Sequence, residues 1–232
     1  MKDYGIFDVI GPIMIGPSSS HTAGAARLGY LARKIAGEEI KKVVFYLHGS
    51  FAKTYAGHGT DRALVAGVLG LMPDDERIRD AFLLAQEKGL LFSFQELDLG
   101  DVHPNTVLMV LETLSGEKWE VAGSSIGGGK VRIIRINELE VDFAGEYTTL
   151  ITYHQDRPGV IADVTAVLAR HNINVAFMRV FRVKKAENAV LIAETDEDIS
   201  DSILAEIAKN SKVAQAKVLR PFTAIIMKER IL

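Results

Sequence analysis

YTTLITYHQDRPGVIADVTAVLARH, residues 147–171, passes from a β-rich run through the turn Asp156-Arg157-Pro158-Gly159 into a helical pattern. It predicts a strand over Tyr147 to Tyr153 and a helix over Val160 to His171. Toward the C-terminus follow strands at Asn174 to Val183 and Ala189 to Glu194, a helix at Ile199 to Lys209 and a strand at Val213 to Leu219. The order βαββαβ is that of the split-βαβ, ferredoxin-like arrangement, a four-stranded antiparallel sheet with two helices on one face. Beyond it the tail 223–232 carries Ile225, Ile226, Met227, Ile231 and Leu232 and is expected to dock on another surface.

Upstream, the pattern resets around Asp142 to Glu146. Before that point, Leu28, Leu31 and Ile35 mark a helix face and Lys42 to Leu47 has strand composition. A polar, glycine-rich loop is expected from His48-Gly49-Ser50 through Gly57-His58-Gly59-Thr60-Asp61. Thr60 or Asp61 would cap a helix over Arg62 to Leu71, with a third helix over Asp75 to Lys88. Strands are expected at Leu90 to Leu97, Val107 to Leu114, Lys118 to Ser124 and Val131 to Ile136, with Ser115-Gly116-Glu117 as a hairpin turn. The fold class is therefore α+β: a mixed α/β domain over residues 1–145, the βαββαβ domain over 147–222, and the tail.

Composition narrows the function. The chain has 232 residues, 48% of them apolar, enough for two modest cores. A net charge of −3 and the lack of basic runs argue against nucleic acid or a membrane surface as partner. The longest uncharged apolar stretch, Ala63 to Met72, falls far short of the ~20 residues that span a bilayer. Asp3, Asp8 and the break at Gly11-Pro12 give the N-terminus no signal-peptide pattern, so a cytoplasmic protein is expected. Zero cysteines exclude disulfides, a cysteine nucleophile, thiolate zinc sites and ligation of an iron–sulfur cluster by this chain.

Ser18, Ser19, Ser20, His21 and Thr22, between Gly16-Pro17 and Gly24, place hydroxyls and an imidazole at an expected helix N-terminus. Free amides there would attract a carboxylate, and His21 adds a group that exchanges a proton near neutral pH. A serine N-cap beside a surface histidine explains the same residues. His58, between Gly57 and Gly59, repeats the logic in a second loop; His48 and His103 also sit among loop residues. No histidine spacing places two metal ligands on one helical face, so no metal is assigned to this chain. Gly123-Ser124-Ser125-Ile126-Gly127 matches the hydrolase string G-x-S-x-G, but Gly127-Gly128-Gly129 leads into a strand, not the helix that motif requires. Those glycines fit either a tight hairpin or close approach to a ligand, with Ser125 adding a hydroxyl. In the second domain, Asp156, Gly159 and the amides of Val160 and Ile161 form one candidate ligand site with Asn172 and Asn174 at the far end of the helix; a pair of helix caps explains them equally.

Taken together, residues 16–22, 57–61 and 125–129 closely resemble the β domain of bacterial iron–sulfur L-serine dehydratases. Residues 148–220 resemble an ACT domain, a regulatory module that commonly binds amino acids. The resemblance implies a β subunit in the two-chain form of that enzyme, with a 4Fe-4S cluster held by a separate α subunit. The reaction implied is L-serine to pyruvate and ammonia, in amino-acid catabolism feeding gluconeogenesis. It also implies that His58 is the base and His21 the substrate-orienting partner, and that Ser18, Ser19, Ser20 and Thr22 hold the substrate carboxylate. Asp61 would fix an imidazole tautomer, Ser125 would bind substrate, and Gly127, Gly128 and Gly129 would close over substrate or meet the α chain. Asp156, Gly159, Val160, Ile161, Asn172 and Asn174 would form an allosteric amino-acid site, with self-association through the ACT domain. The β domain is also similar to the allosteric substrate-binding domain of some phosphoglycerate dehydrogenases, which leaves a non-catalytic, amino-acid-sensing subunit as the alternative.

Overall fold

A computed structural model describes residues 14–221, so the expectation for the tail 223–232 lies outside the described residues. The chain divides into two compact units, Met1–Asn137 and Glu138–Leu232.

In the first unit a π-helical turn, Ser19–Gly24, runs directly into α1 (Ala25–Ala36). Ser18 caps the turn, its side chain accepting the His21 N–H. Leu28, Leu31 and Ile35 are buried, as their helical spacing requires. Next come β1 (Ile40–Leu47), α2 (Gly49–His58) and α3 (Thr60–Val68). A 3₁₀ turn over Glu76–Asp80 then leads into α4 (Ala81–Glu87). The strands are β2 (Leu91–Glu96), β3 (Thr106–Thr113), β4 (Lys118–Gly127) and β5 (Lys130–Ile136). In the sheet, β2-β1-β3-β4-β5 is the run belonging to this unit, with β1 and β2 parallel and the other neighbours antiparallel.

Three expectations are corrected here. The segment expected as a loop from His48 to Asp61 is largely the helix α2. Its first turn is anchored by the Pro104 carbonyl, which accepts the Ser50 N–H at 2.8 Å, and by burial of Phe51 and Ala52. Tertiary contact thus overrides the glycine-rich local signal. Neither Thr60 nor Asp61 caps α3; Gly59, in the left-handed region at φ 69°, ends α2 and starts α3 with no side-chain cap. The helix expected over Asp75 to Lys88 opens instead as a 3₁₀ turn, capped by Asp75 accepting the Arg77 N–H.

α1 and α3 pack backbone against backbone. A methyl group on Gly67 would lie 2.1 Å from the Ala26 carbonyl oxygen, and one on Gly29 would lie 2.4 Å from that of Leu64. The backbones approach so nearly that only hydrogen fits. On its other side α1 rests on the sheet, Leu28 lying over Gly123 of β4 so closely that a Cβ there would meet its methyl group at 2.6 Å.

The second unit opens with β6 (Leu139–Phe143), which begins ahead of the reset read from sequence around Asp142 to Glu146. It continues β7 (Thr148–Gln155), α5 (Val160–Arg170), β8 (Val175–Arg182), β9 (Asn188–Thr195), α6 (Asp201–Ala208) and β10 (Val213–Leu219). The expected βαββαβ order is present, as a four-stranded antiparallel sheet in the order β10-β7-β9-β8. The central strands β7 and β9 are buried along most of their length, as strands with neighbours on both sides should be. Leu150, Leu191 and Ala193 of the sheet meet Val160, Val164 and Leu168 of α5 and Ile207 of α6 in one core.

Gly67→Ala tests the helix crossing, because its two effects have opposite signs. Helix propensity alone would stabilise by about 1 kcal/mol, whereas overpacking costs about 1–3 kcal/mol or more. A lowered urea midpoint at unchanged m-value is the expected result.

Candidate active site

His21 leaves the π-helical turn bracketed by hydroxyls. Its Nδ1 lies 3.1 Å from Ser20 Oγ and 3.5 Å from Ser18 Oγ, and its Nε2 lies 3.1 Å from Ser50 Oγ on α2. The Phe51 ring meets it edge-on at 5.4 Å, and the His58 ring lies 5.0 Å away, centroid to centroid. Burial first, and the nearby His58 second, hold the His21 imidazole below its ordinary pKa, so the ring is neutral at neutral pH.

His58 occupies the last turn of α2 and is exposed. Its Nδ1 lies 3.3 Å from the Thr54 carbonyl oxygen. A carbonyl only accepts, so Nδ1 carries the proton and Nε2 presents a lone pair. The expectation that Asp61 fixes this tautomer is corrected: the Asp61 Oδ1 accepts the Arg62 N–H at 2.7 Å, and the Thr54 carbonyl orients the imidazole. The two histidine segments are tied by Thr22, whose hydroxyl donates to the His58 carbonyl at 3.1 Å.

Three of the turn's amides expected to be free for a carboxylate are already engaged. The amide of His21 donates to Ser18 Oγ, and those of Thr22 and Ala23 donate to the Ser18 carbonyl. The extra residue in a π turn lets one carbonyl serve two amides, leaving these three no capacity for an anion. Charge is available nearby instead. A cleft of about 380 Å³ is lined by Gly16, Pro17, Thr22, the segment 56–59, Asp61, Arg62 and Arg79, with Ile15 and Ile78. Burial pushes the Asp61 carboxyl upward against the opposing pull of the Arg62 amide and guanidinium. Carboxyl and guanidinium groups thus border one cleft beside the His58 ring.

Other expected residues fall elsewhere. Ser125 is fully buried beneath the turn, so close to Gly24 that a methyl group there would lie 2.0 Å from its Oγ. It therefore supports the turn from below. Gly127, Gly128 and Gly129 have φ of 101°, 59° and 74°, and link β4 to β5. The Gly129 carbonyl accepts from Arg27 Nη1 at 2.6 Å, and none of the three glycines lines the cleft. His48 and His103 each accept a backbone N–H, from Leu99 and Asn105, and serve the loop before β3. Ser50 was missed. Its signal would have been a serine at the start of a helix, but that helix is not visible in the sequence.

In the second unit Asp156 is already engaged, accepting from Arg182 Nη1 at 2.5 Å and from the Ala186 N–H at 3.0 Å. The Ala186 amide and the Arg182 guanidinium hold its carboxyl below the usual range. Gly159, Val160 and Ile161 start α5, and Asn172, in the left-handed region at φ 54°, and Asn174 follow its other end. With 11 residues in the helix, the two groups lie roughly 16 Å apart. One copy of the chain does not bring them onto a single small ligand. Asn174 donates to Asp196 at 2.7 Å.

Comparison with known proteins gives these arrangements a family. Residues 5–88 match the serine dehydratase beta chain family and residues 148–211 the ACT domain family. The L-serine dehydratase beta chain of Peptoniphilus asaccharolyticus is 43% identical over 94% of this chain and 98% of its own length. A probable L-serine dehydratase beta chain of Bacillus subtilis (strain 168) is 44% identical over 93% of this chain and 97% of its own. A D-3-phosphoglycerate dehydrogenase of Synechocystis is 26% identical over 84% of this chain but only 35% of its own length. Matched across almost the whole length of two such relatives, the chain belongs to the L-serine dehydratase beta chain family.

Proposed function

We propose that this chain is the subunit of an L-serine ammonia-lyase that supplies proton-transfer and substrate-binding side chains, while a separate α subunit holds a 4Fe-4S cluster. The observation that carries the reading is the pairing of an oriented, exposed His58 with the hydroxyl-bracketed His21 beside a cleft bearing both charge signs. The chain does not fit the cluster as its holder. It contains no cysteine, and among the described residues no three histidine or acidic side chains gather where a metal ion would sit. The Lewis-acid activation of the serine hydroxyl therefore falls to the partner.

What this chain contributes is acid–base chemistry and binding. His58 Nε2 accepts the Cα proton of L-serine, and loss of the β-hydroxyl as water gives aminoacrylate. Tautomerisation to the imine and hydrolysis yield pyruvate and ammonia. A free amino acid is a zwitterion; Asp61 suits its ammonium, and Arg62 and Arg79 suit its carboxylate. His21, kept neutral, orients the ring of His58 and the substrate, and Ser18, Ser20 and Thr22 act through the two histidines. The ACT unit serves regulation or assembly. Exposed Phe177, Met178 and Val180 on its edge strand β8 support self-association, and the residues at the two ends of α5 remain the candidates for an amino-acid effector. No described helix is long and apolar enough to cross a membrane, which agrees with the cytoplasmic location in this reading.

The similarity to phosphoglycerate dehydrogenase, which extends over 84% of this chain, favours the alternative of a purely sensing subunit. Kinetics on the complex of this chain with its cysteine-bearing partner separate the two. Under the catalytic reading the chain alone makes no pyruvate. Within the complex His58→Ala lowers kcat by about 10²-fold or more, and Arg79→Ala mainly raises KM. Normal turnover by the His58 variant would transfer the chain to the sensing role.

The pH behaviour of His21 follows from its surroundings. Its protonation is displaced to lower pH by burial and, secondarily, by the His58 charge. In His58→Gln the charge is gone and burial remains, so the His21 titration midpoint should rise while staying below the ordinary histidine value. NMR titration of the two ring spectra checks this.

A further inference from the structure

We propose that Ser50 is a positioning residue that locks His21 in a single tautomer by accepting a hydrogen bond from its Nε2–H; the consequence for catalysis rests on the reading of the site given above. Ser18 Oγ accepts the His21 backbone N–H at 3.1 Å, which leaves its own hydroxyl proton to give away. The nearer acceptor is Ser20 Oγ at 3.3 Å, against 3.5 Å for His21 Nδ1. Ser20 then directs its proton to Nδ1 at 3.1 Å. In the proposed arrangement donation runs from Ser18 to Ser20 to Nδ1, and a neutral imidazole whose Nδ1 accepts carries its proton on Nε2. The group facing Nε2, at 3.1 Å, is Ser50 Oγ.

Ser50 is itself fixed. Its N–H donates to the Pro104 carbonyl at 2.8 Å, and its carbonyl accepts from Thr54 Oγ1 at 2.8 Å. The same Thr54 offers the backbone carbonyl that orients His58. One turn of α2 therefore sets both imidazoles, holding His21 by a side-chain oxygen and His58 by a main-chain oxygen. Without the Ser50 hydroxyl the Nε2–H loses its acceptor, and that orphaned donor shifts the balance toward the tautomer protonated on Nδ1, which Ser20 can accept. A loosened His21 would misplace the His58 ring 5.0 Å away. Such misplacement slows turnover more than it weakens binding.

The test is ¹⁵N NMR of the full chain labelled at histidine. In the wild type His21 should show an N–H at Nε2 and a bare acceptor nitrogen at Nδ1. Ser50→Ala should convert this to a mixture of tautomers, and Ser50→Thr, which keeps the hydroxyl, should restore it. A proton on Nδ1 in the wild type overturns the proposal, as does an unchanged ring spectrum in Ser50→Ala. Should that variant fail to fold, the wild-type tautomer alone decides. In the complex with the partner, Ser50→Ala should lower kcat about tenfold or more with little change in KM; an unchanged kcat alongside a changed tautomer rejects the catalytic consequence. A complex that fails to deaminate serine at all counts against the proposed function and leaves the ring spectra to judge Ser50.

Discussion

The site depends on how nearly α1 and α3 approach. Each helix is preceded by one histidine-bearing segment, residues 18–24 before α1 and residues 57–59 before α3. Bringing the helices together at Gly29 and Gly67 brings those segments together at their N-terminal ends. The Thr22–His58 hydrogen bond and the 5.0 Å between the imidazoles follow from that approach. Side chains larger than hydrogen at the crossing would separate the helices by the width of a methyl group, and the hydrogen bonds of the site have no such tolerance.

Within that frame the imidazoles are held in different ways. The backbone carbonyl of Thr54 leaves His58 an available Nε2 lone pair at an exposed position, as a base requires. Hydroxyls on both nitrogens hold His21 in a partly buried setting that disfavours its charged form. Two rings of one chemical type thus sit in different surroundings, one exposed on a backbone carbonyl and one half-buried among hydroxyls. The chain has no thiols, so any thiolate ligation of a metal lies outside it.

The second unit was the more legible from sequence. Alternating and continuous apolar runs, the Asp156–Gly159 turn and the length of each segment suffice for βαββαβ, since every connection is short and each core residue belongs to a periodic pattern. In the first unit α2 was hidden. Gly49, Gly57 and Gly59 are poor helix formers, and α2 stands because Phe51 is buried and Pro104 supplies an acceptor from a distant loop. The strand β6 went unread because five residues between turns carry too little pattern. Serines at 18–20 announced a cap, but not that the turn would be π-helical and engage the amides of His21, Thr22 and Ala23.

By itself, then, the order of residues determined the family, the absence of thiol ligands, and the setting of His21 and His58 among serines and glycines, because these are properties of residue type and local spacing. Tertiary structure alone decided that His21 and His58 face each other while His48 and His103 do not, that Ser125 lies underneath rather than in the site, and that Ser50 belongs to it. Those outcomes turn on contacts between segments as far apart as residues 21 and 50, or 24 and 125, which form only when helices and sheet pack and their buried polar groups must find partners.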